Sequence, residues 1–144
     1  MRNRPVAISG ISESRVAPVA AHIQKEKNGH GLIIVSSQIR AKRLAADLSF
    51  FYDGSIHVIP EQEETFIRYD AGSREKLFDR MKALKALTSE EDCIVIAPVS
   101  AVMRRLVPHR MLLESKVRLV RGGTFEIVAL KERLSAMGYE AMAM

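Results

Sequence analysis

The chain has 144 residues, 47% of them hydrophobic and 27% charged, which is enough for one packed core and too few for two ordinary domains. Its net charge of +5 permits contact with nucleic acid or an acidic partner without demanding it. No apolar run approaches the roughly 18 residues of a membrane span, and Met-Arg-Asn-Arg-Pro opens the chain without a secretory h-region, so a soluble, cytoplasmic protein with no membrane contact is expected.

"PVAIS" at 5–9 reads as a strand, followed by the turn "GISES" and a helix that places Val16, Val19, Ala20 and Ile23 on one face and ends at "KNGHG". "LIIVS" at 32–36 has the continuous apolar pattern of a buried parallel strand. Ser37 is positioned to cap the next helix, whose inward face is Ala41, Leu44, Ala45 and Leu48 and which runs to Phe50 and Phe51. "SIHVIP" at 55–60 is a third strand, stopped by Pro60. A polar connection through Asp70-Ala-Gly then leads to a helix capped by Ser73, with Leu77, Phe78, Met81, Leu84 and Leu87 as its apolar face.

"CIVIA" at 93–97 is a fourth buried strand, and Pro98 leads into a short helix, "VSAVMRRL", closed by Pro108. The alternation of strand and helix gives an α/β domain with a mainly parallel sheet and right-handed crossovers. The last quarter differs. "KVRLVRGG" alternates like a half-exposed strand that ends at a Gly122-Gly123 turn, and Thr124 caps a helix with Ile127, Leu130, Leu134 and Met137 on one face, ending at Gly138. The expected division is therefore 1–115 for the α/β domain and 116–144 for the start of a second, small domain that the chain leaves unfinished.

The turn after the first expected strand lies where a phosphate-binding loop would sit. Such a loop needs a second glycine, a lysine and a hydroxyl residue, so that backbone N–H groups enclose the phosphates, a cation neutralises them and a ligand holds Mg²⁺. Only the opening Gly10 fits: Arg15, Val16 and Ala17 occupy the three closing positions. Ser12, Ser14 and Arg15 leave a weak anion site at most, at the exposed N–H groups of the helix. No strand ends in acidic residues that could hold Mg²⁺ through water.

Nor is there another catalytic constellation. His22, His30, His57 and His109 are scattered with no pair at metal spacing, no serine sits in a nucleophile elbow, and Glu61, Glu63 and Glu64 read as a solvated acidic connection. Cys93, the single cysteine, lies in an apolar run and reads as a buried structural thiol. No catalytic residue, metal or cofactor is expected. The basic clusters at Arg40, Lys42 and Arg43, at Arg104, Arg105, His109 and Arg110, and at Lys116, Arg118 and Arg121 are each explained by a solvated helix face, or by a surface for a polyanion.

With these segments in order, the chain resembles the N-terminal module of bacterial transcription-repair coupling factor, a family similar to the excision-repair protein UvrB. "ISGISESRVAPVAAHI" falls where that family carries strand, phosphate loop and helix. "LIIVSSQIRAKRLAADLSFFY" resembles the next helicase-like strand and helix with paired aromatics, "SIHVIPEQE" the following strand with its acidic loop, and "REKLFDRMKALKAL" the arginine-and-leucine helix. "CIVIAPVSAVMRRLVP" is the nearest match, and "GTFEIVALKERLSAMGYE" resembles the helix entering a small inserted domain. The loop after Pro60 departs by lacking the tryptophan and prolines often found there.

The resemblance implies a P-loop-NTPase-like, helicase-like sheet in three layers, with helices on both faces and a degenerate nucleotide site. It implies a non-catalytic module that recruits UvrA and packs against other domains of the full-length protein, in transcription-coupled nucleotide excision repair. The ATP-dependent DNA translocase motor and the contact with RNA polymerase would belong to downstream domains. Arg118 and Arg121 would border the UvrA surface, most of which lies beyond this chain, and Arg40, Lys42 and Arg43 would contact the DNA backbone weakly. The alternatives are a small nucleotide-dependent enzyme with an atypical loop, in which Arg15 replaces lysine, and an accessory DNA-binding module.

Overall fold

The computed structural model describes residues 5–61 and 71–139. Among the described residues three strands form the sheet: β1 (His30–Val35), β2 (Ser55–Val58) and β3 (Cys93–Pro98), in the order β1-β3-β2. β3 pairs in parallel with both neighbours, setting Ile33 opposite Ile96, Ile56 opposite Ile94 and Val58 opposite Ile96. The central strand is buried along its whole length, as its uninterrupted apolar run requires. The fold is thus α/β on a small parallel sheet.

Alternation along the strands sorts their side chains onto two faces. On one, Ile94 and Ile96 pack with Ile33, Val35, Ile56 and Val58 under α1 (Glu13–Lys27) and α2 (Gln38–Leu48), which contribute Ala17, Ala21, Ala41, Leu44 and Leu48. On the other, Cys93, Val95 and Ala97 pack with Ile59 and with Ala83 of α3 (Ala71–Ala86) and Ala101 of α4 (Val99–Val102). Chain direction explains the division. The connection through α2 crosses from β1 over β3 to β2, and the one through α3 returns, so right-handed crossovers put these two helices on opposite faces.

α2 follows its sequence signals closely. Ser37 accepts a hydrogen bond from the Arg40 amide at 3.4 Å, and Ala41, Leu44 and Leu48 are its buried residues. α1 ends as expected at Asn28 (φ 50°) and Gly29 (φ 93°), both in the left-handed region. Its face is rotated from the expected one: Ala17 and Ala21 are buried, Val16 and Ala20 pack beside them, and Ile23 is exposed. Two helices share that side of the sheet, so only small residues let α1 approach closely.

Other expectations are corrected. Residues 5–9 form no strand, and Val6 is 83% exposed, because among the described residues no strand edge lies against them. β1 is not fully buried. Leu32 and Ile34 are each 53% exposed, since α3 covers the β2 side of its face and leaves β1 bare. α3 turns Ala83 and Leu84 inward, with Leu87 just beyond its end half-buried, while Leu77, Phe78 and Met81 are exposed and Lys82 stands 4.5 Å over the Phe78 ring. The helix opens at Ala71, so Ser73 lies inside its first turn and is not its cap. The helix at "VSAVMRRL" stops at Val102, since Ala101 is its one buried residue and Met103 already faces solvent. Asp70, Glu63 and Glu64 lie outside the described residues.

The chain divides into two compact units, Met1–Leu106 and Val107–Met144. In the second, α5 (His109–Glu114) begins after Pro108, which opens a helix here where it was expected to close one. Residues 116–121 form no strand, because among the described residues no strand edge pairs with them. The expected Gly122-Gly123 turn is present, with the Gly123 amide donating to the Val120 carbonyl at 3.0 Å. α6 (Ile127–Ala136) has Glu126, not Thr124, at its cap and buries no residue fully. Its end is as expected: Gly138 takes φ 87°, and the Tyr139 amide donates to the Leu134 carbonyl. Arg133 ties this helix to α5 by donating to the carbonyls of Glu114 and Lys116, each at 3.0 Å.

Candidate functional site

Gly10 has φ 76°, and a Cβ placed there would meet no atom within 4 Å. Glycine is therefore demanded by the backbone conformation and not by close approach of another group. Ser12 is the N-cap of α1 and accepts the Arg15 amide through its carbonyl at 2.9 Å, but its hydroxyl makes no cap bond and lies 3.2 Å from the Ser14 hydroxyl. Arg15 is exposed. Pro18, inside the helix, has no N–H to offer the Ser14 carbonyl.

The carboxylate of Glu13 occupies the first turn of α1, where the helix dipole favours negative charge. It also holds Arg40 of α2, whose Nη2 lies 3.2 Å from Glu13 Oε1. With side chains 54% and 76% exposed, that pair contributes less than about 1 kcal/mol, but it neutralises both groups. A pocket of about 370 Å³ opens beside it. Val16, Ile33, Val35 and Leu44 give it an apolar floor, and Ser14, Ser36, Arg40, Arg43, Glu13 and Asp47 give it a polar rim.

Two groups of residues singled out separately in the sequence thus meet: Ser14 from the turn after Gly10 and Arg40 and Arg43 from the basic cluster. Gly10, Ser12, Arg15 and Lys42 do not line the pocket. Glu13 and Asp47 were not anticipated. No sequence signal marks them, because they reach the rim only through the packing of α1 against α2. Two acids and two bases leave the rim without a net sign, unlike a site built for a polyphosphate. In the second unit Arg118 and Arg121 are exposed beside the Gly122 turn.

A second junction lies beyond the carboxyl ends of the strands. The Glu61 amide donates to Gln38 Oε1 at 2.9 Å, and the Ser100 hydroxyl donates to Glu61 Oε1 at 2.6 Å, which fastens α2, the segment after β2 and α4 to one another. Among the described residues, no group of His, Cys, Asp or Glu is placed to hold a metal ion, and no helix is long and apolar enough to cross a membrane.

Cys93 is buried in β3, and burial first, then the neighbouring Asp92 charge, pushes its thiol up. The Tyr52 phenol is likewise raised, by burial and then by Asp92 and Cys93, against a lowering hydrogen bond from Gln24. Both folded-state values exceed the unfolded ones, so their contribution to stability is complete below the ordinary thiol and phenol range and is lost as pH rises through the raised values. The thermal unfolding midpoint is accordingly expected to fall as pH climbs into that alkaline range, and to fall less in Tyr52→Phe. An equal fall in the variant would show that Tyr52 is not one of the groups responsible.

No family model matches the chain. It is 28% identical over 134 residues, 92% of its length, to the transcription-repair-coupling factor of Bacillus subtilis (strain 168). The protein of the same name from Staphylococcus epidermidis (strain ATCC 35984) is 22% identical over 93% of the chain, and that from Staphylococcus aureus (strain USA300) 23% identical over 92%. The chain is homologous to a segment of transcription-repair-coupling factor. It spans 11% of the length of the Bacillus protein and 12% of each Staphylococcus protein.

Proposed function

We propose that the chain is a non-catalytic interaction module, corresponding to the N-terminal UvrB-like part of transcription-repair-coupling factor and serving transcription-coupled nucleotide excision repair. One observation carries this reading: two of the three positions that would close a phosphate loop are used for packing. Ala17 is 1% exposed and Val16 packs against the same core, so neither is available to a nucleotide. The neighbouring Glu13 carboxylate already occupies the helix N-terminus, where a triphosphate would have to displace it. On this reading the sheet is a helicase-like, three-layer P-loop fold with a decayed site, in which Gly10, Ser12, Ser14 and Arg15 keep weak anion affinity at most.

The module's partners are other domains of the longer protein and UvrA. On this reading residues 1–106 are the α/β part and the unit from Val107 leads into a small inserted domain from 116 on, with Arg118 and Arg121 at the border of the UvrA surface. DNA is a minor partner, because Arg40 is already engaged by Glu13 and Arg43 shares its pocket with Asp47. RNA polymerase is reached only through domains elsewhere.

Isothermal titration calorimetry of the chain tests this reading with three titrants. Mg-ATP should give no saturable heat, UvrA should give saturable heat that Arg118→Glu with Arg121→Glu diminishes, and duplex DNA should give weak heat that high salt removes. Micromolar, magnesium-dependent binding of ATP would instead favour the nucleotide-dependent enzyme.

A further inference from the structure

The four charges on the rim of the pocket sum to zero but are not equally engaged. Glu13 and Arg40 hold each other at 3.2 Å, and Arg40 Nη1 lies 3.5 Å from the Ser36 hydroxyl. Arg43 and Asp47 stand one turn apart on α2 and line the same rim. Among the described residues neither of these two side chains has a hydrogen bond or an ion pair. The pocket therefore offers one uncommitted cation and one uncommitted anion. Its floor is apolar and incompletely covered, since Val16, Ile33 and Val35 are only half-buried. At about 370 Å³ it falls at the low end of the roughly 300–1,000 Å³ found for small-molecule sites, which suits a single small molecule.

We propose that this pocket binds a free α-amino acid with an apolar side chain. The α-carboxylate pairs with the Arg43 guanidinium, the α-ammonium pairs with the Asp47 carboxylate, and the side chain covers Val16, Ile33 and Val35. The three features select this class together. A phosphate would meet one uncommitted cation against the carboxylates of Glu13 and Asp47. A wholly apolar molecule would take water from Arg43 and Asp47 and give them no partner. A residue within a peptide keeps neither backbone charge, and a peptide terminus keeps one. Both side chains are exposed, so water and salt screen them and each pairing adds little affinity. Binding is accordingly in the millimolar range. Gly10, Ser12 and Arg15 do not line the pocket, so the inference stands apart from the reading of the phosphate loop.

Amide chemical shifts of the chain, followed during titration with L-leucine, should move saturably for residues of α2 and β1 that line the pocket. Leucinamide, which lacks the carboxylate, and N-acetylleucine, which lacks the ammonium, should each bind about threefold more weakly. Glycine, with both charges and no side chain, should give no saturable shift. Arg43→Gln should weaken leucine about threefold and leave leucinamide as it was, whereas Asp47→Asn should weaken leucine and leave N-acetylleucine as it was. A loss of structure in either variant would instead weaken every ligand alike, and far-UV dichroism would show it. No saturable shift with leucine up to its solubility overturns the proposal. Leucine and leucinamide binding equally overturns it too, as does leucine binding that neither variant alters, which would place the ligand elsewhere.

Discussion

Ile96→Ala is expected to lower stability by about 2–5 kcal/mol, a large share of the 5–15 kcal/mol typical of a folded domain. Ile96 is fully buried in the central strand, opposite both Ile33 and Val58, and packs under α1 and α2. Its carbonyl also accepts the Ile59 amide at 2.9 Å, just past the end of β2. Removing three carbons there leaves a cavity that a two-sided strand cannot close by shifting. Ile34→Ala, on a strand of the same apolar character, should cost less than about 1 kcal/mol because the side chain is already 53% exposed. Urea unfolding of the two variants reads the contrast directly. Equal losses would mean that the open face of β1 is covered in solution.

The second large effect concerns the segment from Gly10 to Ala17, which we read as a decayed phosphate loop. Rebuilding its closing residues as Arg15→Gly, Val16→Lys and Ala17→Thr together should destabilise the chain by about 2–4 kcal/mol and still give no magnesium-dependent ATP binding. Threonine at 17 must fit where alanine is 1% exposed, lysine at 16 gives up apolar packing, and glycine at 15 loosens the first turn. Glu13 would remain beside any phosphate. The three sites are neighbours, so the loss need not equal the sum of the single variants. A triple variant as stable as the parent, or one that binds Mg-ATP, would show that the loop is idle and not committed to packing.

How much of this was legible beforehand differs by element. β3 announces itself, because a six-residue apolar run ending in proline suits a strand buried on both faces. α2 does too, through a serine cap and apolar residues at three- and four-residue steps. The end of α1 at Asn28 and Gly29 and of α6 at Gly138 needs only residues able to take positive φ. Those signals are local. "PVAIS" at 5–9 and "KVRLV" at 116–120 carry equally good strand patterns and form no strand, because pairing depends on an edge supplied from far along the chain.

The sequence by itself determined the α/β class, the central strand, the helix ends and the absence of lysine and hydroxyl from the closing positions of the loop. It determined these because each follows from side-chain chemistry within a few residues. Only the tertiary structure decided which faces are covered. α3 lies over β2 and β3 and leaves Leu32 and Ile34 bare, and its own Leu77, Phe78 and Met81 face outward, although periodicity places them on the face turned to the core. The same holds for the pocket: Glu13 and Asp47 join Arg40 and Arg43 only because α1 and α2 share one side of a narrow sheet. Burial and charge balance are properties of packing between distant segments, and no local pattern fixes them.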